Sequence, residues 1–173
     1  HNSYKKLQIM QCDMESVYFN CILNNPTLTT VGNYAYTFKC DVVCDAPWAW
    51  EFPKSESFGP FLTEGTFKFN NISDDNYYMK PVFVVEIGSK ADSFQLLNQS
   101  DGNKGCTFND LSPGETLTID SDKYIVTSNT GLLRVGNMTG ILPRLVPGMN
   151  TFQVIGSTEK ITINYQNARK VSG

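Results

Sequence analysis

Ile141-Leu-Pro-Arg-Leu-Val-Pro-Gly-Met-Asn150, followed by Thr151-Phe-Gln-Val-Ile-Gly-Ser-Thr-Glu-Lys-Ile-Thr-Ile-Asn-Tyr165, reads as a fixed turn and then two strands. Pro147 presets its own φ, and Gly148 allows a positive φ, which together make a turn. Phe152 and Val154 then alternate with Thr151 and Gln153. After Gly156-Ser-Thr-Glu159, Ile161, Ile163 and Tyr165 alternate with Lys160, Thr162 and Asn164. A period of two with one apolar face marks a half-buried strand. The expectation is an antiparallel β hairpin.

The same signals recur upstream. Val17-Tyr-Phe-Asn-Cys-Ile-Leu23 is rich in aromatic and β-branched residues, and Tyr34, Tyr36, Phe38, Cys40 and Val42 alternate with a mostly polar set. Lys54-Ser-Glu-Ser57 and Gly59-Pro60 look like a linker or domain edge, and Thr66-Phe67-Lys68-Phe69 restarts the strand pattern. Pro81-Val-Phe-Val-Val-Glu-Ile87 is almost continuously apolar, which suits a central strand covered on both faces. Shorter strands are expected at Phe94–Leu97, Cys106–Phe108, Thr116–Ile119 and Tyr124–Val126, with turn signals between them. No segment carries a helical stripe, since each candidate breaks on Gly, Pro or Asn within three turns. Short strands at this spacing predict an all-β fold, an antiparallel sandwich or barrel.

Composition narrows the function classes. A chain of 173 residues that is 40% hydrophobic fits one domain with part of another and can build a core. A net charge of −3 with no clustered Lys/Arg face argues against a nucleic-acid partner. No apolar run approaches the ~20 residues of a membrane span, so no membrane insertion is expected. The chain opens at His1 without a methionine, and a fragment of a longer protein is expected. Its five cysteines, Cys12, Cys21, Cys40, Cys44 and Cys106, do not match usual zinc spacings. Small buried residues kept reduced in a cytosol are the first reading, with a disulfide or metal clip among the first four as the alternative. Asn71, Asn98 and Asn137 fit the glycosylation pattern, at a rate expected by chance in so Asn/Ser/Thr-rich a chain.

Catalytic chemistry is hard to assemble here. His1 is the single histidine, so no Ser-His-Asp or Cys-His arrangement can be built from this chain alone. Phosphate-binding loops and metalloprotease motifs are missing from the sequence. Asp120 with Asp122, and Asp74 with Asp75, sit in polar contexts that favour turn capping. No enzyme and no cofactor or metal is expected. Trp48, Trp50, Tyr77 and Tyr78 are the candidate interface or glycan-stacking residues. Trp48 and Trp50 lie two apart, so both face one side of a strand, where packing or an inter-subunit contact is favoured over sugar stacking.

Taken in order, several passages resemble one family. Phe38-Lys-Cys-Asp-Val-Val-Cys-Asp-Ala-Pro-Trp-Ala-Trp50 resembles the junction between the ring-forming N-terminal domain and the C-terminal domain of siphophage distal tail proteins (Dit), with extra residues before the proline. Leu111-Ser-Pro-Gly-Glu-Thr-Leu-Thr-Ile-Asp120, with Tyr124-Ile-Val126 after it, resembles an internal stretch of that family. Leu142 to Gly156 resembles its "Pro-x-Leu-x-Pro-Gly-x-Asn" ending, and Tyr165–Val171 its closing strand. Each motif is weakly specific alone, but their order and spacing from about Tyr4 to Val171 make the set fairly specific.

The resemblance implies that residues 1–52 are the end of the ring domain plus a linker, and that residues 53–173 form a galectin-like or jelly-roll-like β-sandwich. It implies a distal tail protein of a phage or prophage that joins the tail tube to tail-tip and host-adsorption proteins. The implied partners are further copies of itself in a hexameric ring, tail-tube and tail-hub proteins, and receptor-binding proteins. It places the chain at the virion tail tip after assembly in the bacterial host cytoplasm. The rival expectation is a carbohydrate-binding module contacting host glycans.

Overall fold

The computed structural model describes residues 3–12, 14–90 and 92–171, so His1 lies outside the described residues. In chain order its strands are β1 Lys5–Leu7, β2 Val17–Val31, β3 Tyr34–Cys44, β4 Ala49–Glu51, β5 Lys54–Phe58, β6 Glu64–Asn71, β7 Val82–Ile87, β8 Phe94–Asn98, β9 Lys104–Phe108, β10 Thr116–Asp120, β11 Ile125–Ser128, β12 Met138–Gly140, β13 Gly148–Ile155, β14 Thr158–Tyr165 and β15 Ala168–Arg169. Two short 3-10 turns, Gln99–Asp101 and Arg134–Asn137, interrupt them. The chain divides into one compact unit of His1–Phe52 with Ala168–Gly173, and another of Pro53–Asn167.

The first unit is a single sheet built on β2. That strand pairs antiparallel with β1, β3 and β4, and β4 pairs with β15. Its buried apolar residues are few: Val17, Tyr18, Cys21, Ala49 and Ala168. β2 and β3 form a long hairpin whose reversal uses Gly32 at φ 64°. Sequence reading carried the second domain from 53 to 173. The last strand instead returns to the first unit, because Ala168 pairs with Trp50 and Arg169 with Ala49.

The second unit is the antiparallel β-sandwich expected. One five-stranded sheet runs β11-β10-β7-β14-β5 and the other β12-β9-β8-β13-β6. Alternate side chains of each sheet turn inward. Phe83, Val85 and Ile87 of β7, Leu117 and Ile119 of β10, and Ile161 and Ile163 of β14 meet Phe67, Phe69, Phe94, Leu96, Phe108, Phe152 and Val154 from the facing sheet. Phe83 and Phe152 pack edge to face across the layers at 5.8 Å, and Phe58 stacks on Phe67 at 4.3 Å.

Two expectations are corrected. Strands β13 and β14 do not form a hairpin. β13 pairs with β6 and β8, whereas β14 pairs with β5 and β7 in the opposite sheet. Residues 156–157 are therefore a crossing between layers, and the two apolar faces meet through the core rather than side by side. Period two marks each strand's buried face but not its pairing partner. Nor is β7 covered on both faces. Phe83, Val85 and Ile87 are fully buried, while Val82, Val84 and Glu86 on the other face are half-buried. It is central within its sheet, between β10 and β14, and that accounts for its apolar run.

Candidate functional site

The Leu142–Asn150 passage proves to be architecture. Asn150 is fully buried, and its Oδ1 accepts from the Val146 amide and from Asn98 Nδ2, each at 2.8 Å. Its Nδ2 donates to the carbonyls of Val146 and Gly148, each at 2.9 Å. Asn98 Nδ2 also reaches the Arg144 carbonyl at 2.8 Å. This knot satisfies buried backbone groups around the Pro147-Gly148 turn, which the strands alone leave unpaired. Asn71 and Asn98, both possible glycan acceptors by pattern, are buried and hydrogen-bonded here, so neither is open to modification.

One member of each carboxylate pair caps a turn. Asp75 accepts from the Tyr77 amide at 3.0 Å. Asp120 accepts from the Lys123 amide at 2.9 Å and from Lys123 Nζ at 2.8 Å, and these contacts hold its carboxyl below the usual range. Among the described residues no group of three or more His, Cys, Asp or Glu converges as a metal site.

Of the four candidate residues, Trp48 and Trp50 belong to the first unit and Tyr77 and Tyr78 to the second. Trp48 and Trp50 do share a side, with rings in a T-shaped contact at 6.1 Å. Both are half-buried, and their indole Nε1–H groups are buried without an acceptor. Tyr78 carries the Arg144 guanidinium 3.6 Å over its ring, and Arg144 is held in turn by Asp101 at 2.7 Å. That ring face is taken. Tyr77 is 76% exposed.

A larger surface escaped the sequence reading. The row Tyr34, Tyr36, Phe38 and Val42 alternates as expected, yet it faces solvent: Tyr34 is 82%, Tyr36 77% and Phe38 60% exposed. Pairing sets Leu28 beside Phe38 and Leu23 beside Val42 on one face, while the register shift between Thr29 and Thr30, where Tyr36 is the extra residue, turns the Val31–Tyr34 pair to the other face; all are exposed. The result is a two-stranded arm with exposed apolar and aromatic side chains on both of its faces. Such a patch is characteristic of a protein-contact surface. Alternation in the sequence could not reveal it, because a buried face and a docking face carry the same pattern. Tyr36→Ser with Phe38→Ser is expected to change the stability of the first unit by less than about 0.5 kcal/mol, read from urea denaturation by tryptophan fluorescence. A loss above about 2 kcal/mol would mean that these side chains are packed in the free chain.

Residues 48–165 match the family model described as phage tail C-terminal domain. Among solved structures the chain is similar to the Dit protein (gp 19.1) of SPP1, whose crystal structure is described as a paradigm of the hub adsorption apparatus in phages that infect Gram-positive bacteria. The TM-score is 0.66 at 10% identity, over 94% of this chain and 65% of that one. At that identity the likeness is one of fold, and the chain spans about two thirds of that protein's length. No match is found among the curated proteins.

Proposed function

Because this chain belongs to the phage tail C-terminal domain family, we propose that it is a distal tail protein, a hub joining the tail tube to tail-tip and host-adsorption proteins. A structural role in a phage tail, and so a place in the virion tail, follows from the family. The finer reading rests chiefly on one observation: the fold likeness to SPP1 Dit runs over 94% of the chain rather than over the sandwich alone. Assembly work needs surfaces rather than a catalytic cleft. The exposed apolar and aromatic side chains of the β2–β3 arm offer one such surface, and closed rings are built from heterologous contacts of that kind. The first unit would contribute to a hexameric ring, and the sandwich would carry the outward partners.

Within this reading Trp48 and Trp50 pack the base of the first unit, and Tyr77 is the exposed ring that remains for a partner. The rival glycan-binding module draws its support from Tyr77, whose ring is open to stacking. Two experiments separate them. Antibody labelling of purified virions that carry this protein should mark the distal tail tip; label along the tube or on the capsid would sink the hub reading. Glycan-array binding that disappears in Tyr77→Ala would favour the rival.

A further inference from the structure

None of the roles above uses the cysteines of the first unit. The register of β2 and β3 sets Cys21 directly opposite Cys44. The Asp45 amide donates to the Asn20 carbonyl at 3.0 Å, one residue beyond the pair on each strand. In an antiparallel ladder such a bond flanks a non-hydrogen-bonded pair, in which Cα atoms stand about 4.5 Å apart and side chains lie closest. A disulfide spans Cα separations of about 4.4–6.8 Å. The other thiols lack this placement. Cys40 faces the register shift between Asn24 and Thr27 and has no Cα partner on β2. It lies four residues along the same strand from Cys44, about 13 Å in an extended chain. Cys106 is buried in the sandwich core, and burial pushes its thiol up to about 12.

We propose that Cys21 and Cys44 are a disulfide-forming pair that staples the base of the β2–β3 arm when the protein passes from a reducing to an oxidising compartment. The pairing stands on strand register alone. Its timing rests on the tail reading, since a tail protein is assembled in a bacterial cytoplasm and then released to an oxidising exterior.

The chemistry is a thiol–disulfide exchange with a low-molecular-weight disulfide such as oxidised glutathione. Exposed Cys44 reacts first. Its thiolate attacks one glutathione sulfur, a mixed disulfide forms, and one glutathione thiolate leaves. Buried Cys21 then gives up its proton to solvent and attacks the Cys44 sulfur, expelling the second glutathione thiolate. Two protein thiols are oxidised, and one small disulfide is reduced to two thiols. Burial, with the nearby Asp45, pushes the Cys21 thiol up even once Cys44 is capped, so the second step is the slower one. The arm has reason to need the bond. A two-stranded ribbon is marginal in water, and this one carries two register shifts and exposed apolar side chains.

The test treats the full chain with oxidised glutathione or with dithiothreitol, followed by alkylation and peptide mapping by mass spectrometry. The oxidised chain should lose two hydrogens, accounted for by a Cys21–Cys44 linked peptide. Cys40→Ser should leave that peptide intact, and Cys44→Ser should abolish it. Amide exchange over residues 27–38 should slow several-fold on oxidation. A chain that halts as glutathionylated Cys44, or that joins Cys44 to Cys40 or Cys12, overturns the staple whatever the protein does in a tail. Free thiols at both positions in released virions overturn its timing. Absence of the protein from virions would sink the tail reading and leave the bond standing.

Discussion

Arg134→Met should lower the stability of the sandwich unit by about 3–5 kcal/mol near neutral pH, because it strands a buried carboxylate. Arg134 Nε and Nη2 grip Glu115 at 2.7 and 2.6 Å, and Arg134 Nη1 donates to the Asp110 carbonyl at 2.9 Å. Glu115 also accepts from the Ser112 amide at 2.9 Å and the Ser128 hydroxyl at 2.6 Å. The side chains are 4% and 0% exposed. The pair ties the loop before β10 to the end of β11 and to the 3-10 turn at Arg134–Asn137. Both tryptophans lie in the first unit, so tryptophan fluorescence follows that unit alone, and a urea transition seen by far-UV circular dichroism but not by fluorescence belongs to the sandwich. Arg134→Met with Glu115→Leu should recover most of the loss, since an apolar pair of similar volume leaves no unpaired charge. A single variant within about 0.5 kcal/mol of wild type would mean that solvent reaches the site.

The pH dependence of that loss has a definite sign. Burial raises the Glu115 carboxyl, but the Arg134 hydrogen bonds, the Ser112 amide and the Ser128 hydroxyl outweigh it, and the net position is below the ordinary value. A depressed carboxylate adds stability above its unfolded pKa of about 4.3, and that stability fades as pH falls through the lower folded value. Without Arg134, desolvation dominates and the carboxyl takes up a proton at higher pH. The gap between wild type and Arg134→Met should therefore be widest near neutrality and narrow toward about pH 4. A gap that widens on acidification would refute this account.

What the sequence could reveal followed from period two. It located most strands, the Pro147-Gly148 turn, the shared side of Trp48 and Trp50, and the turn-capping carboxylates. It could not say which strand sits beside which, because β13 next to β14 and β13 facing β14 through a core demand the same alternation. It read Tyr34, Tyr36 and Phe38 as one apolar face of a strand, but the register shift at Tyr36 turns Tyr34 to the other side, and nothing in that spacing says whether this chain covers them. In the sequence nothing separates Tyr78 from Tyr77 as a candidate. Its cover, Arg144, is distant in sequence and comes from the very passage whose wording carried the family resemblance. That wording is explained residue by residue: Asn150 ties the turn, Leu145 fills the core, and Arg144 links Asp101 to Tyr78. A resemblance carried by such residues identifies a fold, and the contact surface has to be read from exposure.

Gly156→Ala should be at least as damaging, about 3 kcal/mol or more, for a reason that the crossing between layers makes specific. Gly156 has φ 108°, outside the range in which side-chain-bearing residues are comfortable. A Cβ there would stand 2.4 Å from the Ser93 carbonyl oxygen, a backbone atom just before β8 that cannot swing aside. The crossing is pinned from both sheets. The Gly156 amide donates to the Thr63 carbonyl at 2.7 Å, and the Ser157 carbonyl accepts from the Gly88 amide at 2.8 Å. Relieving the clash would pull β13 from β8 and loosen the return to β14, so strain cannot be absorbed locally. Gly114→Ala provides the comparison. It too has a positive φ, 73°, but a Cβ there meets nothing within 4 Å. It should cost only the conformational penalty of about 1–2 kcal/mol. The difference between the two in urea denaturation isolates the steric cost of crossing. If the two variants fall together, the crossing is not tight. If Gly156→Ala alone collapses the sandwich signal while the tryptophan signal persists, the two-residue step between sheets is the point on which the layering depends.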